Sequence, residues 1–524
     1  MGVFLLAKKC VIWYSFKKEF YFFYITPVCI KRRCIFMFKP DKSTAEIKVI
    51  PVVSKGEKID GKVALDLKIF TEKEDWADAI DGFCACAEKI FLTKVHKEKG
   101  AITLIYDEKL DKDSYTLEIC DDVKIFASDY YGAVYGLATV LQLATVKEGK
   151  FEFEKIKISD HPDKDYRGLM VDLAREWHPF DKVLKYVDVC YFFKIKYLHL
   201  HVMDDEGYVL PSKLFPLLSK DGRKYTFEEI EYLCKYAKQR GVVLIPEIEM
   251  PGHVKVLNTY YPGIFSDTIE EGCDVAVFTE NGIAMGVDTV LCPGSESVFE
   301  NLKKLICEVI EMFGDIEYIH LGGDEVNTLV WEKCSVCKEY MEKNNIKNAH
   351  ELYCEFTARV TDYVLSKGIT PIIWEGVPKE YSHMISKEVI VISWENHYQM
   401  TDELLEGGYK IINGSWQPLY IVPSIMPTFD WKTKEILDWN VYQWQHWWPN
   451  SKAFLNPVNV EPTDMVWGAQ ISAWQQTYDA EIADVVENLA AMSERVWRIE
   501  RKRTLEDYAR AFHILKMKCF NLIV

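Results

Sequence analysis

The sequence predicts a (β/α)8 TIM barrel preceded by a small α/β domain, and three observations carry that expectation. After Tyr166, eight short apolar runs are separated by long helical stretches, the rhythm of repeated strand–helix units around a parallel sheet. Polar and aromatic residues gather where those runs end, on the face where barrels of this kind carry their chemistry. Before Tyr166 the pattern differs: short alternating runs are mixed with helix, and no catalytic constellation falls among them.

Residues 1–36 read as an extension. They carry seven Lys/Arg against one Glu, and apolar runs such as Phe20 to Ile30 are broken or flanked by Lys17, Lys18, Glu19 and Pro27. None reaches the ~20 residues of a membrane span, and no small-residue cleavage site follows a single apolar core. The expectation is a disordered segment or a mis-assigned start, with Met37 opening ordinary sequence; a membrane-associated segment is the alternative. Residues 37–160 form the first domain, with strands at Ile47 to Val53, Val63 to Phe70, Ala101 to Tyr106 and Tyr115 to Ile119 and a helix from Asp129 to Thr145. Residues 161–524 form the barrel. Its strands are Gly168 to Leu173, Tyr197 to Met203, Val242 to Glu249, Ile316 to Leu321, Thr370 to Trp374, Val389 to Trp394, Lys410 to Ile412 and Val466 to Ser472. Helices fall at Lys182 to Phe193, Phe227 to Gln239, Ala349 to Leu365 and Ile482 to Arg495, and a Trp-rich insertion lies near 430–450.

Composition narrows the partners. Net charge is -17, and because residues 1–36 contribute +6 the remainder carries -23. So acidic a surface argues against nucleic acid and for a neutral or cationic substrate. Ten of the 15 Trp lie between Trp374 and Trp474; indole faces suit sugar rings, and about half are expected in the core with the rest lining a cleft. The 15 cysteines form no framework, which suggests reduced thiols and a cytoplasmic setting. Cys334-x-x-Cys337 has no second pair or matching histidines nearby, so neither a metal nor any other cofactor is expected.

The chemistry is read from Asp324 and Glu325, which follow the strand-like run Ile316 to Leu321 and two glycines. Adjacent carboxylates cannot easily flank one scissile bond as a separated acid and nucleophile would. A division of labour fits better: one donates a proton while the other orients a substrate group and tunes its partner. His253, after the third strand, is placed to bridge Asp204 and Glu325 and to hold the acid's geometry. His199-Leu200-His201 has the spacing of a metal pair, but the last strand ends in Trp and Gln rather than the Asp that such a site would need, so a structural role is expected.

Four ordered motifs carry a resemblance. Asp172-Leu173-Ala174-Arg175, His199 through Asp205, Pro246 through His253, and His320-Leu321-Gly322-Gly323-Asp324-Glu325 resemble glycoside hydrolase family 20, the β-N-acetylhexosaminidases, in order and spacing. The likeness runs from about Tyr115 to Trp497, and its early part, with Gly132, Tyr135-Gly136-Leu137 and Gln142, is similar to the α/β domain preceding the barrel in that family. The resemblance implies a retaining, exo-acting enzyme that removes terminal β-linked N-acetylhexosamine from oligosaccharides by substrate-assisted hydrolysis, an exception to the two-carboxylate scheme. It implies that the substrate's acetamido oxygen attacks the anomeric carbon, giving an oxazolinium-type intermediate. Glu325 would serve as acid and then base, Asp324 would hold the acetamido N–H, and Tyr420 would bind its carbonyl. Arg175 and Gln476 would contact ring hydroxyls, and Trp374, Trp394 and Trp474 would wall the pocket. Two positions depart from the family's commoner pattern: Val422 replaces an acidic or amide residue and Gln476 a Glu, which touches sugar specificity more than chemistry. A metal-dependent hydrolase barrel and a catalytically silent sugar-binding barrel are the alternatives. Oligomeric state is not legible.

Overall fold

The computed structural model describes residues 42–218, 222–266, 277–279, 282–284, 290–423 and 433–524. The extension expected over 1–36 lies outside them, as do residues 430–432 of the Trp-rich insertion. The first domain is one mixed sheet backed by two helices. Its elements are β1 (Lys55–Asp66), β2 (Lys68–Thr71), α1 (Ala77–Phe91), β3 (Ile102–Tyr106), β4 (Tyr115–Ile119), β5 (Val123–Ala127), α2 (Tyr130–Leu143) and β6 (Lys150–Asp160). The strand order is β1-β6-β4-β5-β3-β2, with His96–Lys97 and Thr145–Lys147 as short marginal strands. Along β4 and β5 every second residue is buried, the pattern of a sheet with one face covered. Asp129 begins α2 by accepting the Gly132 N–H at 2.8 Å, an N-cap that satisfies an otherwise orphaned donor.

Two expected strands change here. Ile47 to Val53 is buried and apolar but pairs with no strand. Two of its donors go to distant side chains, Ile50 N–H to Gln142 at 2.8 Å and Val52 N–H to Glu494 at 2.7 Å, while Ile47 and Val49 donate to the nearby Thr44 and Ile47 carbonyls. A buried backbone must find acceptors, and the apolar pattern looks the same whether a strand or a set of side chains supplies them. Val63 to Phe70 divides at Leu67 into the ends of β1 and β2.

The eight barrel strands are β7 (Tyr166–Asp172), β8 (Tyr197–His201), β9 (Val243–Glu247), β10 (Tyr318–His320), β11 (Thr370–Trp374), β12 (Ile390–Ser393), β13 (Lys410–Asn413) and β14 (Val466–Ala473). All eight runs read from the sequence are strands, differing only at their ends. They pair in parallel, and β13–β14 and β14–β7 close the ring. The longer helices around it are α3 (Phe180–Phe192), α4 (Phe227–Lys238), α5 (Glu296–Phe313), α6 (Ser335–Asn344), α7 (Ala349–Leu365), α8 (Tyr478–Trp497) and α9 (Leu505–Ile523). Inside, Tyr166 stacks on Tyr197 at 4.6 Å with Trp467 4.9 Å from Tyr166, and Ile245, Ile372, Ile390, Ile392 and Ile412 join the same buried cluster as Trp374, Trp394 and Tyr420. The interior is a packed core, which directs function to the mouth.

The domains meet through buried charge. Asp160, at the end of β6, accepts from Lys194 at 3.1 Å, Tyr115 at 2.8 Å and Trp497 at 3.0 Å. Burial pushes its pKa up, but Lys194, Trp497 and Arg498 outweigh that and hold it below the usual carboxylate value. The Trp-rich insertion packs on the ends of β12 and β13: Trp444 donates to the Ser393 carbonyl at 2.9 Å, and the Asn413 amide bridges Val441 and Gln443. Of the nine described Trp from 374 to 474, residues 374, 394, 439, 444 and 467 are buried while 416, 447, 448 and 474 are partly exposed, and Trp431 lies outside the described residues. Among the described residues no helix is long and apolar enough to cross a membrane.

Candidate active site

Strand β10 stops at His320, and the next turn aims the two carboxyls. Gly322 and Gly323 have φ of +63° and +101°, open to glycine at little cost. A Cβ on Gly322 would lie 1.7 Å from the Glu249 carboxylate, and one on Gly376 would lie 2.0 Å from the Gly323 carbonyl. The turn is therefore packed on both sides. Glu325 itself is left-handed at φ +48°, a strained conformation for a non-glycine residue of the kind found at functional sites. Asp324 and Glu325 thus leave the turn independently, unlike neighbours on a strand. Burial pushes the Asp324 carboxyl up to about 6; His253 opposes the shift, while Glu325 and Glu247 add to it.

Asp204, His253 and Glu325 form the chain read from the sequence. His253 Nδ1 is 3.3 Å from Asp204, and its Nε2 is 3.5 Å from Glu325 and 3.9 Å from Asp324. Burial alone would lower the His253 pKa, but Asp204, Glu325 and Asp324 hold it well above the ordinary value. Asp204 also accepts from His201 at 2.8 Å and meets the Arg175 guanidinium at 2.5 Å. Arg175 reaches Asp172 at 3.3 Å and Glu206 at 3.5 Å and lies 5.0 Å over the Trp474 ring. Much of its fork is therefore committed to the protein.

Beside Asp324 the aromatic residues close a recess. Trp374 and Trp474 lie 6.0 Å apart, Tyr420 is 6.2 Å from Trp474, and Tyr420 stacks parallel to Trp394 at 6.2 Å. Trp416 covers Tyr420 at 4.4 Å. Burial, followed by the charges of Asp324, Glu395 and Glu325, pushes the Tyr420 phenol far up, so it stays a donor. Gln476 keeps a buried side-chain N–H2 with no protein acceptor, and Val422 packs against the aromatic cluster.

Several carboxyls here carried no role in the sequence reading. Glu247 accepts from His199 at 3.0 Å and Trp374 at 2.8 Å, and also from His201, and it lies 2.6 Å from His320 Nδ1. With its oxygens so occupied, this His/Glu cluster is a hydrogen-bond network that fixes the Trp374 wall. Glu249 and Glu395 are buried, each has an oxygen without a partner, and burial with neighbouring carboxylates raises both pKa values well above normal. Glu375 gathers the N–H groups of Trp394, Glu395, Asn396 and His397 at 2.8–3.3 Å. Glu247 and Glu249 share one motif at alternate positions, which was the available signal; Glu375 and Glu395 directly follow Trp374 and Trp394.

A paired acid site beside aromatic rings, set at the C-terminal mouth of a (β/α)8 barrel, fits the class of glycoside hydrolases, and the comparisons with known proteins place the chain there. The family model for the glycosyl hydrolase family 20 catalytic domain matches residues 165–500, and that for family 20 domain 2 matches residues 46–161. The chain belongs to glycosyl hydrolase family 20. It is 32% identical to a beta-hexosaminidase of Akkermansia muciniphila, over 65% of this chain and 71% of that protein. It is 29% identical to a beta-hexosaminidase subunit beta of Entamoeba histolytica, over 74% of this chain and 69% of that protein. Among solved structures, the fold is similar to that of the exo beta-N-acetylglucosaminidase of Vibrio harveyi in complex with N-acetylglucosamine. The TM-score there is 0.77 at 22% identity, covering 96% of this chain and 82% of the other.

Proposed function

We propose that this protein hydrolyses terminal β-linked N-acetylhexosamine from oligosaccharides with retention, using the substrate's own acetamide as nucleophile. The observation that carries this reading is the adjacent Asp324–Glu325 pair, one carboxyl bordering the closed aromatic recess and the other beside His253. Glu325 gives its proton to the glycosidic oxygen as the acetamido oxygen attacks the anomeric carbon and the leaving alcohol departs. Positive charge then develops on the amide nitrogen, where the Asp324 carboxylate accepts the N–H and stabilises it. Tyr420 donates to the acetamido oxygen, and Trp374, Trp394 and Trp474 hold the group in attacking geometry. Glu325, now anionic, takes a proton from water; the water opens the oxazolinium ring at the anomeric carbon and the original configuration returns. Asp204 and His253 position Glu325, while Arg175 and Gln476 contact ring hydroxyls.

An aryl β-N-acetylglucosaminide tests this directly. Release of the phenol by full-length protein, unchanged by brief exposure to a chelator, is the expected result. Binding without turnover would overturn the assignment in favour of a silent sugar-binding barrel, and immediate loss of turnover with chelator would favour a metal-dependent hydrolase.

A further inference from the structure

Three sulfur atoms meet away from the sugar recess. Cys292 lies just before α5, Cys334 is the N-cap of α6, and Cys337 is in that helix's first turn. The Cys292 Sγ is 3.7 Å from that of Cys334 and 3.6 Å from that of Cys337, and all three lie within 4.8 Å of one another. A disulfide would need ~2.05 Å. Three thiolates around zinc, with Zn–S of ~2.3 Å and tetrahedral angles, would stand ~3.8 Å apart. The first two separations match that edge length. The backbone is also shaped for the approach: a Cβ on Gly294 would lie 2.7 Å from Cys337 Cα and 3.0 Å from the Val336 carbonyl. Cys292 and Cys337 are buried while Cys334 is partly exposed, so a fourth donor has access from the Cys334 side.

A thiophilic divalent cation would be bound by the three sulfurs as thiolates, with release of protons. What the cluster joins gives it a consequence. Leu291 N–H donates to the Pro251 carbonyl at 2.8 Å, two residues before His253, and the Trp331 indole donates to the Leu291 carbonyl at 2.9 Å. Trp331 and Cys334 follow Asp324–Glu325 in the next loop.

We propose that Cys292, Cys334 and Cys337 bind a structural zinc ion, completed by a donor from the solvent side, which staples the loop after Glu325 to the segment behind His253. The sequence reading found Cys334-x-x-Cys337 without partners because Cys292 stands 42 residues upstream and is brought to it only by the barrel.

The test uses full-length wild-type protein from zinc-supplemented cultures, purified without chelator. Elemental analysis should find about one zinc per chain, released when a mercurial titrates the thiols. Exchange with cobalt should give thiolate-to-metal charge-transfer absorption. Cys334→Ser, on the exposed side, should lose most of the zinc and lower Tm, whereas Glu325→Gln should keep it. Zinc below about a tenth of an equivalent in the wild type would overturn the proposal. So would a disulfide among the three, or full zinc occupancy in Cys334→Ser. Because the wild-type measurements stand without any variant, poor folding of Cys334→Ser would not remove the test.

Discussion

Glu325 is held by its own strained backbone and by His253 at 3.5 Å, so its replacement should be a chemical lesion rather than a structural one. Glu325→Gln is expected to lower turnover of substrates with poor leaving groups by about 10²- to 10⁴-fold with little change in Tm; near-normal turnover would reject its role. Asp324 gives the pH dependence. Its carboxyl is raised to about 6 and must be an anion to hold the acetamido N–H, so kcat/KM should rise as pH increases through about 6. His253 lowers that pKa, so His253→Gln should move the acid limb to higher pH; a pH–rate profile with the limb unmoved would contradict the coupling. The stability sign follows the same shift: the folded carboxyl binds its proton more tightly than the unfolded one at 3.8. This group's contribution is therefore full below that value and lost as pH rises to about 6. Sugar choice is a further test. Val422 offers no polar group, and rejection of a C4 epimer needs buried donors and acceptors left unpaired by the wrong sugar. N-acetylgalactosaminides should therefore be hydrolysed within about tenfold of N-acetylglucosaminides, ~1.4 kcal/mol in transition-state binding. Buried donors without a protein acceptor remain on Gln476 and on the Trp447 indole, which lies 5.8 Å from Trp416, and a preference above about a hundredfold in kcat/KM would mean that such groups rebuild a strict subsite. That Asp324, Glu325, His253 and the aromatics Trp374, Trp394 and Trp474 would gather at one end of the barrel was legible because each lies at or within a few residues of a strand's C-terminal end. The work of Glu247 inside a network of three histidines, and the partners that Cys292 finds in another loop, carry no such local mark.

At the scale of elements, the joint between the domains rests on the Asp160–Lys194 pair, whose side chains are both fully buried. Removing one member leaves the other charge buried and uncompensated, so Asp160→Ala should cost roughly 3–5 kcal/mol in denaturant unfolding. A loss under about 1 kcal/mol would mean that water replaces the carboxylate there. Helix α9 makes a comparable attachment, with Lys518 donating to the carbonyls of Gln142 and Ala144 at 2.6 Å at the C-terminal end of α2. Strands such as β4 and the eight of the barrel were readable because alternation or a short apolar run between turn signals is a local property. Ile47 to Val53 was misread for the converse reason: its apolar pattern is local, but the side chains that take the Ile50 and Val52 N–H groups, Gln142 and Glu494, lie far away in sequence.

Across the whole molecule, the parallel ring brings motifs more than a hundred residues apart to one mouth, with Arg175, Asp204, His253 and Glu325 in a connected line of contacts. The first domain braces the barrel through buried ion pairs and adds no group to that line. The barrel was legible as a count of strand–helix units; how the Trp-rich insertion packs was not, because it depends on Ser393 and Asn413 at two strand ends. The central claim is that the substrate supplies its own nucleophile, and it is tested most directly with aryl glycosides whose N-acetyl group is progressively fluorinated. Fluorine withdraws electrons from the acetamido oxygen while leaving the sugar and the leaving group unchanged. If that oxygen attacks the anomeric carbon, kcat/KM should fall steeply, by orders of magnitude from acetyl to trifluoroacetyl. A flat series would mean that a protein carboxylate or water attacks instead, and the role given to Asp324 would fall with it.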